Sequence, residues 1–531
     1  MQKIPFIFAV TGHRDLRDKD ILSLRESVKR VFKEFKQKAP HTSFVLLTAL
    51  AEGADMLVAE VALECGGEID VILPYHEKEY LESFDNKDEI NRYESLKAKA
   101  REVKTLECDY KKDGATCYEK LGVYLVENST ALIALWDEKV VTTTGGTAEV
   151  VKYKRQREQS SVKLKYKSLK NGEILYVIKT PRVKNPIESD FKVQKEFLGV
   201  HFDEKIFDEN IQYLDLFNKE FRVSSQQDSC AKNVVEFLKD KAKYYEKRLN
   251  TFSIMMMAII FIALVAFEAM HVLGSIGMHL SWLNFIYIIG LALSAGIYFF
   301  VIKKEDLQNR YIYARGIREA LRVQNAFNHA GIKKDVSNYF LRDTSINYLW
   351  MKLLLKGINR VDKTLYEKDE INWIDSQIGY FENSIKSRDK KLEFWEKLEK
   401  TFYRIGLIAL VLMSVVFFVD FFHIGVHSVK GHGVSTLTKT WHYLILLSSI
   451  SFTLAAFIGE KYLKTLAYKE EIYNFALMKN FFEDAKEKLE GVEKGTQKYK
   501  ETIENLGKEA LNEHSKWVVL HDTRKVKWDV E

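Results

Sequence analysis

Four stretches of this chain, residues 252–273, 280–302, 403–424 and 441–458, are nearly uncharged and 18 to 23 residues long. A helix needs about 20 apolar residues to cross a ~30 Å hydrocarbon core. Buried helices of soluble proteins are usually shorter and carry a polar stripe, which these stretches lack. The expectation is four membrane spans in two closely spaced pairs. Lys241, Lys243, Lys247 and Arg248 precede the first span, and Lys303 and Lys304 follow the second. Lys390, Lys391 and Lys400 precede the third, and Lys461 and Lys464 follow the fourth. Basic residues stay on the cytoplasmic side, so both termini and the 303–400 stretch are expected inside. Only the hairpins 274–279 and 425–440 would reach the outside.

The rest of the chain divides by proline content. All five prolines (Pro5, Pro40, Pro74, Pro181, Pro186) lie near the N-terminus, and none follows Pro186. Because proline breaks helix interiors, the remainder is free to form long helices inside and outside the membrane. The 80 Lys+Arg nearly balance 74 Asp+Glu, which argues against a nucleic-acid binder, and 47% hydrophobic content excludes a disordered chain. Cys65, Cys108, Cys117 and Cys230 form no paired motif, so reduced thiols and no cysteine-built metal site are expected.

The two span pairs read as a duplication, with Phe252 opposite Phe402 and Tyr313-Ala-Arg315 opposite Tyr468-Lys-Glu470. Near the outer end of each first span an acid precedes a histidine by three residues: Glu268 with His271, and Asp420 with His423. On a helix these share a face and could line an ion, proton or metal path. They also sit where side chains reach the membrane surface at little cost.

Residues 1–182 alternate short apolar runs (4–10, 44–49, 69–73, 131–136, 174–178) with helix-patterned stretches (20–38, 54–65, 89–101, 117–126). This pattern predicts an α/β fold with a doubly wound parallel sheet, whose ligands bind beyond the C-terminal strand ends. Three loops there carry chemistry. After the first strand comes Thr11-Gly12-His13-Arg14-Asp15, with a turn glycine and a guanidinium suited to phosphate or carboxylate. After the second comes Ala51-Glu52-Gly53-Ala54-Asp55, where Gly53 allows close approach to a helix start. After the fourth comes Asp137, then Thr142-Thr143-Thr144-Gly145-Gly146-Thr147-Ala148-Glu149.

Together Thr11-Gly12-His13-Arg14, Leu50-Ala51-Glu52-Gly53-Ala54-Asp55, Leu73-Pro74-Tyr75 with Tyr80, Leu132 to Asp137 and Gly145-Gly146-Thr147-Ala148-Glu149-Val150-Val151 resemble the SLOG superfamily. These are Rossmann-like sensors related to a DNA-uptake protein and to cytokinin-activating phosphoribohydrolases. The resemblance implies a pocket for a nucleotide-derived ligand. Gly12, Gly53, Gly145, Gly146 and Thr147 would hold phosphates, Arg14 would neutralise charge, and Asp55, Asp137 or Glu149 would read ribose or base. Thr11, His13, Ala51 and Glu52 complete the expected site.

The later half, through Tyr313-Ala-Arg315, Arg318 to Gln324, His329-Ala-Gly331, Leu506 to Glu513 and Trp517 to His521, resembles the SLATT two-span proteins of bacterial conflict systems. That likeness implies an inner-membrane effector in antiphage abortive infection, acting as a homo-oligomer whose partners are a small nucleotide messenger and the lipid bilayer, with no nucleic acid and no cofactor. The related hydrolases carry Gly-Gly-x-Gly-Thr-x-x-Glu. Here one residue fewer separates Thr147 from Glu149, and the glycine before the threonine is missing, so sensing is expected over hydrolysis by Glu149. The expected order is a nucleotide-binding domain (1–182), a helical linker (183–250), a two-span unit with its cytoplasmic helix (251–335), a helical connector (336–400), a second two-span unit (401–490) and a cytoplasmic C-terminal segment (491–531).

Overall fold

A computed structural model describes residues 3–84, 86–140, 144–156, 172–199, 202–227, 233–274, 280–341, 348–361, 372–421 and 436–524. The chain opens with β1 (Phe6–Gly12), α1 (Ile21–Lys38), β2 (Phe44–Thr48), α2 (Ala54–Glu64) and β3 (Glu68–Leu73). Next come α3 (Glu77–Leu81), α4 (Lys87–Lys97), β4 (Glu102–Thr105), α5 (Tyr110–Asp113), α6 (Thr116–Asn128) and β5 (Ala131–Trp136). α7 (Thr147–Gln156), β6 (Glu173–Lys179), β7 (Val193–Leu198) and α8 (Glu204–Gln227) follow. The remaining helices are α9 (Val234–Gly274), α10 (Leu283–Gly296), α11 (Leu307–His329), α12 (Leu349–Ile358), α13 (Trp373–Phe421), α14 (Thr436–Leu466), α15 (Tyr468–Leu489) and α16 (Gln497–Thr523). Two compact units result: Met1–Phe237 with Lys333–Lys368, and Leu238–Ile332 with Asp369–Glu531.

The first unit is built on a sheet of order β4-β3-β2-β1-β5-β6-β7, parallel except for β7 against β6. Strands β1, β2 and β5 are apolar on both faces and buried along nearly their whole length, as a sheet covered on both sides requires. α1 buries Leu24, Val28, Val31, Phe32 and Phe35, a helical stripe that meets the strands through Phe32 stacked on Phe44 at 4.8 Å. The five expected strands are β1, β2, β3, β5 and β6. Sequence reading missed β4 and β7, the two edges. β4 is exposed along its length, and β7 carries Gln194, Lys195 and Glu196, so neither shows a buried apolar run.

The expected linker contributes β7 and α8 to this unit. On α8 the Asn218 amide donates to the Ile4 carbonyl and accepts the Ile4 N–H, both at 3.1 Å. Residues 333–361 also return to it. The Trp350 N–H donates to Asn210 at 2.8 Å, and a Cβ on Gly357 would lie 2.4 Å from the Pro5 carbonyl oxygen. Arg360 donates to Tyr124 and Asn128 at 3.0 Å each.

The second unit is helical. The helical stretches Val234–Gly274, Leu283–His329 and Trp441–Leu489 are long and apolar enough to cross a membrane. The apolar end of α13 packs along α14 and exposes Leu407, Ile408, Val411, Leu412, Val415 and Phe418. The 274–279 and 425–440 hairpins lie largely outside the described residues. A residue in left-handed conformation, Asp306 or Ala467, precedes α11 and α15 alike.

Four helices, α11, α13, α15 and α16, meet at one buried carboxylate. Glu471 on α15 accepts the Trp517 indole N–H at 2.7 Å and pairs with Arg388, while the Arg315 guanidinium lies 3.6 Å away and His521 3.4 Å away. Arg315 also lies 4.0 Å over the Trp517 ring. Removing one partner of such a cluster strands a buried charge, which costs far more than the intact cluster contributes.

Small residues let the apolar helices approach closely. A Cβ on Gly290 would lie 2.7 Å from Ala263 Cβ, and one on Gly406 would lie 2.7 Å from Thr453 Oγ1. Ser449 also donates to the Gly406 carbonyl at 3.0 Å. Gly406→Leu is expected to cost about 1–3 kcal/mol by overpacking, read as a lower melting temperature in detergent. Gly459→Ala, where a Cβ meets nothing within 4 Å, is the control and should show no loss.

Candidate functional site

Strand order reverses between β1 and β5, because β2, β3 and β4 extend to one side and β5 returns to the other. Such a switch point opens a crevice beyond the strand ends. Gly12 is paired opposite Leu135 there, and Thr11 opposite Ala134 is buried beneath.

The loops after β1 and β2 are in backbone contact. A Cβ on Gly12 would lie 2.3 Å from Ala54 Cβ, and one on Gly53 would lie 2.2 Å from the Arg14 carbonyl oxygen. Gly53 also has φ 75, a conformation that favours glycine. The Ala54 N–H donates to the His13 carbonyl at 3.1 Å, so the first donor of α2 is taken by the protein itself. Asp55 lies beneath the loop and accepts the Ala49 N–H at 3.3 Å, with a further backbone bond from Ala51. Burial pushes its carboxyl up to about 7 from an ordinary 3.8.

Arg14 stands at the mouth. Its guanidinium donates to the Ser83 carbonyl at 3.0 Å and to Ser83 Oγ at 3.2 Å, and lies 4.0 Å from the buried Glu52. The side chain stays 34% exposed, which leaves it room to take an anion.

The loop after β5 closes the other side. His13 Nε2 accepts the Asp137 N–H at 3.1 Å and lies 3.0 Å from Asp137 Oδ1. Burial and the Arg182 charge hold the imidazole below its ordinary pKa, which suits an accepting ring nitrogen. Asp137 also accepts the Asn185 amide at 3.0 Å, and Arg182 binds Asp15 at 2.8 Å. Burial opposes ionisation of Asp137, but the bonds from the Asn185 amide and the Lys139 N–H outweigh it and hold its pKa low. With its side chain 1% exposed, Asp137 forms part of the crevice floor.

Glu149 turns back onto its own loop and accepts the Gly145 N–H. Gly145 has φ 75, and its missing Cβ would lie 2.5 Å from Tyr118 Cβ. The Gly146 carbonyl accepts the N–H groups of Glu149 and Val150 at 3.0 and 3.1 Å. Thr147 and Ala148 open α7, where amides have no intrahelical carbonyl to bond. Thr142 and Thr143 lie outside the described residues.

The structure thus brings all three loops together. Tyr75 and Tyr80 were legible in the sequence, but their joining with Tyr110 and Tyr118 into one cluster beside Arg14 was not foreseen. Its only signal was the recurrence of tyrosine after β3, at 75, 80, 93, 110 and 118. One expectation is corrected: Cys108 and Cys117 are joined, with sulfurs 2.08 Å apart, while Cys65 is free and Cys230 lies outside the described residues. Asp113 lies beside the pair, but bonded sulfurs offer a metal no thiolate. In the second unit, the exposed His271 is bonded at 3.0 Å to the Phe267 carbonyl of its own helix, and Glu268 is half-buried. Asp420 lies in α13, while its side chain and His423 fall outside the described residues.

No known family model matches the chain, and comparison with curated proteins gives no significant match.

Burial favours the protonated form of the Asp55 carboxyl. The folded state holds this proton more tightly than the unfolded chain, so the stability it contributes is full below pH 3.8 and is lost as pH rises to about 7. Asp55→Asn should remove this slope. Hydrogen-exchange protection of β2 and α2 in the wild type should fall relative to the variant across that window, and a constant difference would show an ordinary carboxyl.

Proposed function

We propose that the first unit is a sensor that binds a nucleotide-derived anion in the switch-point crevice, and that the second unit is a four-span membrane effector whose permeability changes on binding. The observation that carries this reading is the convergence of three strand-end loops on Arg14 and the open start of α7. Arg14 neutralises phosphate charge, and the amides of Thr147 and Ala148 supply helix-start donors. Asp55, Asp137 and Glu149 serve chiefly to hold the loops in shape, since each carboxylate accepts bonds from loop backbone or from a neighbouring loop's side chain. The engagement of Glu149 with the Gly145 N–H favours binding over hydrolysis, because a general acid or base must be available to the substrate.

The apolar end of α13 is the fourth span in this reading, and the flanking lysines place both termini in the cytoplasm. α9 starts within the first unit and runs without a break into the first span, so it is a covalent route for the signal. A ligand shifts such an equilibrium only through differential affinity, so it must favour the conducting arrangement or assembly. The resemblance of its motifs to SLOG and SLATT proteins supports a role in inner-membrane antiphage defence, with several copies of the chain around a pore.

The test is dye release from liposomes containing the full-length protein, with a panel of cyclic and linear adenine nucleotides, NAD fragments and ribose 5-phosphate. Release by at least one compound is expected. Arg14→Gln should weaken that compound's binding about tenfold or more, the scale of a charged hydrogen bond. Glu149→Gln should leave turnover at background, as in the wild type. Failure of the whole panel both to bind and to release dye would overturn the reading, and Glu149-dependent breakdown would replace it with a hydrolase.

A further inference from the structure

Tyr75 leaves β3 at the crevice face and stacks on Tyr110, with ring centroids 4.4 Å apart and planes 22° apart. Tyr118 meets Tyr75 edge-on at 5.7 Å, and their hydroxyls are 2.7 Å apart. Tyr118 also backs directly onto Gly145, so the aromatic cluster is continuous with the loop that opens α7. The outermost ring, Tyr110, is 40% exposed, whereas Tyr75 beneath it is buried. The Cys108–Cys117 link closes the short loop that carries Tyr110 and ends beside Tyr118, so one bond pins both rings.

Tyr80 adds an independent observation. It is 0% exposed, and its hydroxyl has no hydrogen-bond partner among the described residues. Its phenol lies in the electrostatic neighbourhood of Arg14, Asp55 and Tyr118. Packing alone would be served by phenylalanine, and a buried hydroxyl without a partner is costly. A polar group brought in by a ligand would supply the missing bond.

We infer that Tyr110, backed by Tyr75 and Tyr118, is the stacking platform for a planar base of the crevice ligand, which makes that ligand a phosphorylated nucleoside rather than a bare sugar phosphate. The inference rests on the crevice reading above. Phosphate lies at Arg14 and the α7 start, Tyr80 bonds the ligand's polar middle, and the base extends the Tyr75–Tyr110 stack by one layer. Aromatic stacking tolerates any base because each has a π face, so the platform sets the class of ligand and not the individual base.

Calorimetry on the detergent-solubilised full chain separates the possibilities, with adenosine 5′-monophosphate, ADP-ribose and ribose 5-phosphate as probes. The wild type should bind the base-bearing probes at least tenfold more tightly than ribose 5-phosphate. Tyr110→Ala should lose about tenfold for the base-bearing probes and nothing for ribose 5-phosphate, while Tyr110→Phe retains wild-type affinity. Because Tyr110 is partly exposed, both variants keep the fold, and unchanged ribose 5-phosphate binding verifies it. Equal wild-type affinity for all three probes, or no selective loss in Tyr110→Ala, would overturn the platform and leave the crevice standing. No binding of any probe by the wild type would overturn both.

Discussion

The backbone contact between the β1 and β2 loops is the constraint on which the switch-point crevice depends. There is no room for a side chain at either glycine: Gly12 meets Ala54 Cβ, and Gly53 meets the Arg14 carbonyl. This approach presses Arg14 against the start of α2, and the strain of the sharp turn falls on Gly53, whose left-handed backbone accepts it. Asp55 then ties down the amides of its own loop from beneath. Two of the three loops therefore form one rigid lip, and the third joins it through His13 and Asp137.

The same economy with charge runs through the rest of the molecule. Buried ions occur where several partners converge: Asp70 takes two bonds from Arg101, Lys154 pairs with Glu173 and two carbonyls, and Glu471 gathers four partners from three other helices. Such clusters contribute little net stability but penalise every arrangement that separates their members. In the helical unit this fixes which helices meet around Glu471, a task that the apolar surfaces alone perform loosely.

Much of the candidate site was legible in the residues. Gly12, Gly53 and Gly145 announced turns, and each proves to be a place where a Cβ has no room. The roles of the acids were less legible. A carboxylate near a glycine loop reads equally as a ligand contact or as a loop brace, and only the coordinates show Glu149 bonded to the Gly145 N–H and Asp137 held by His13 and Asn185. The tyrosine cluster escaped because its members come from the end of β3, from α3, and from α5 and α6, and their spacing along the chain has no period. The Cys108–Cys117 pair escaped for the same reason, since two cysteines nine apart follow no recognised motif.

Hydropathy and alternation by themselves determined the division into a parallel-sheet body and helices long and apolar enough to cross a membrane, because a strand buried on both faces, like a helix of that length and composition, leaves an uninterrupted apolar run in the sequence. Edge strands β4 and β7 left no such mark, since half of an edge faces water. Tertiary structure alone decided that residues 333–361 return to the sheet body after the first hairpin, and that Arg315, Arg388 and Trp517 gather around Glu471. These arrangements depend on contacts between residues far apart in the chain, which no local pattern of residues records.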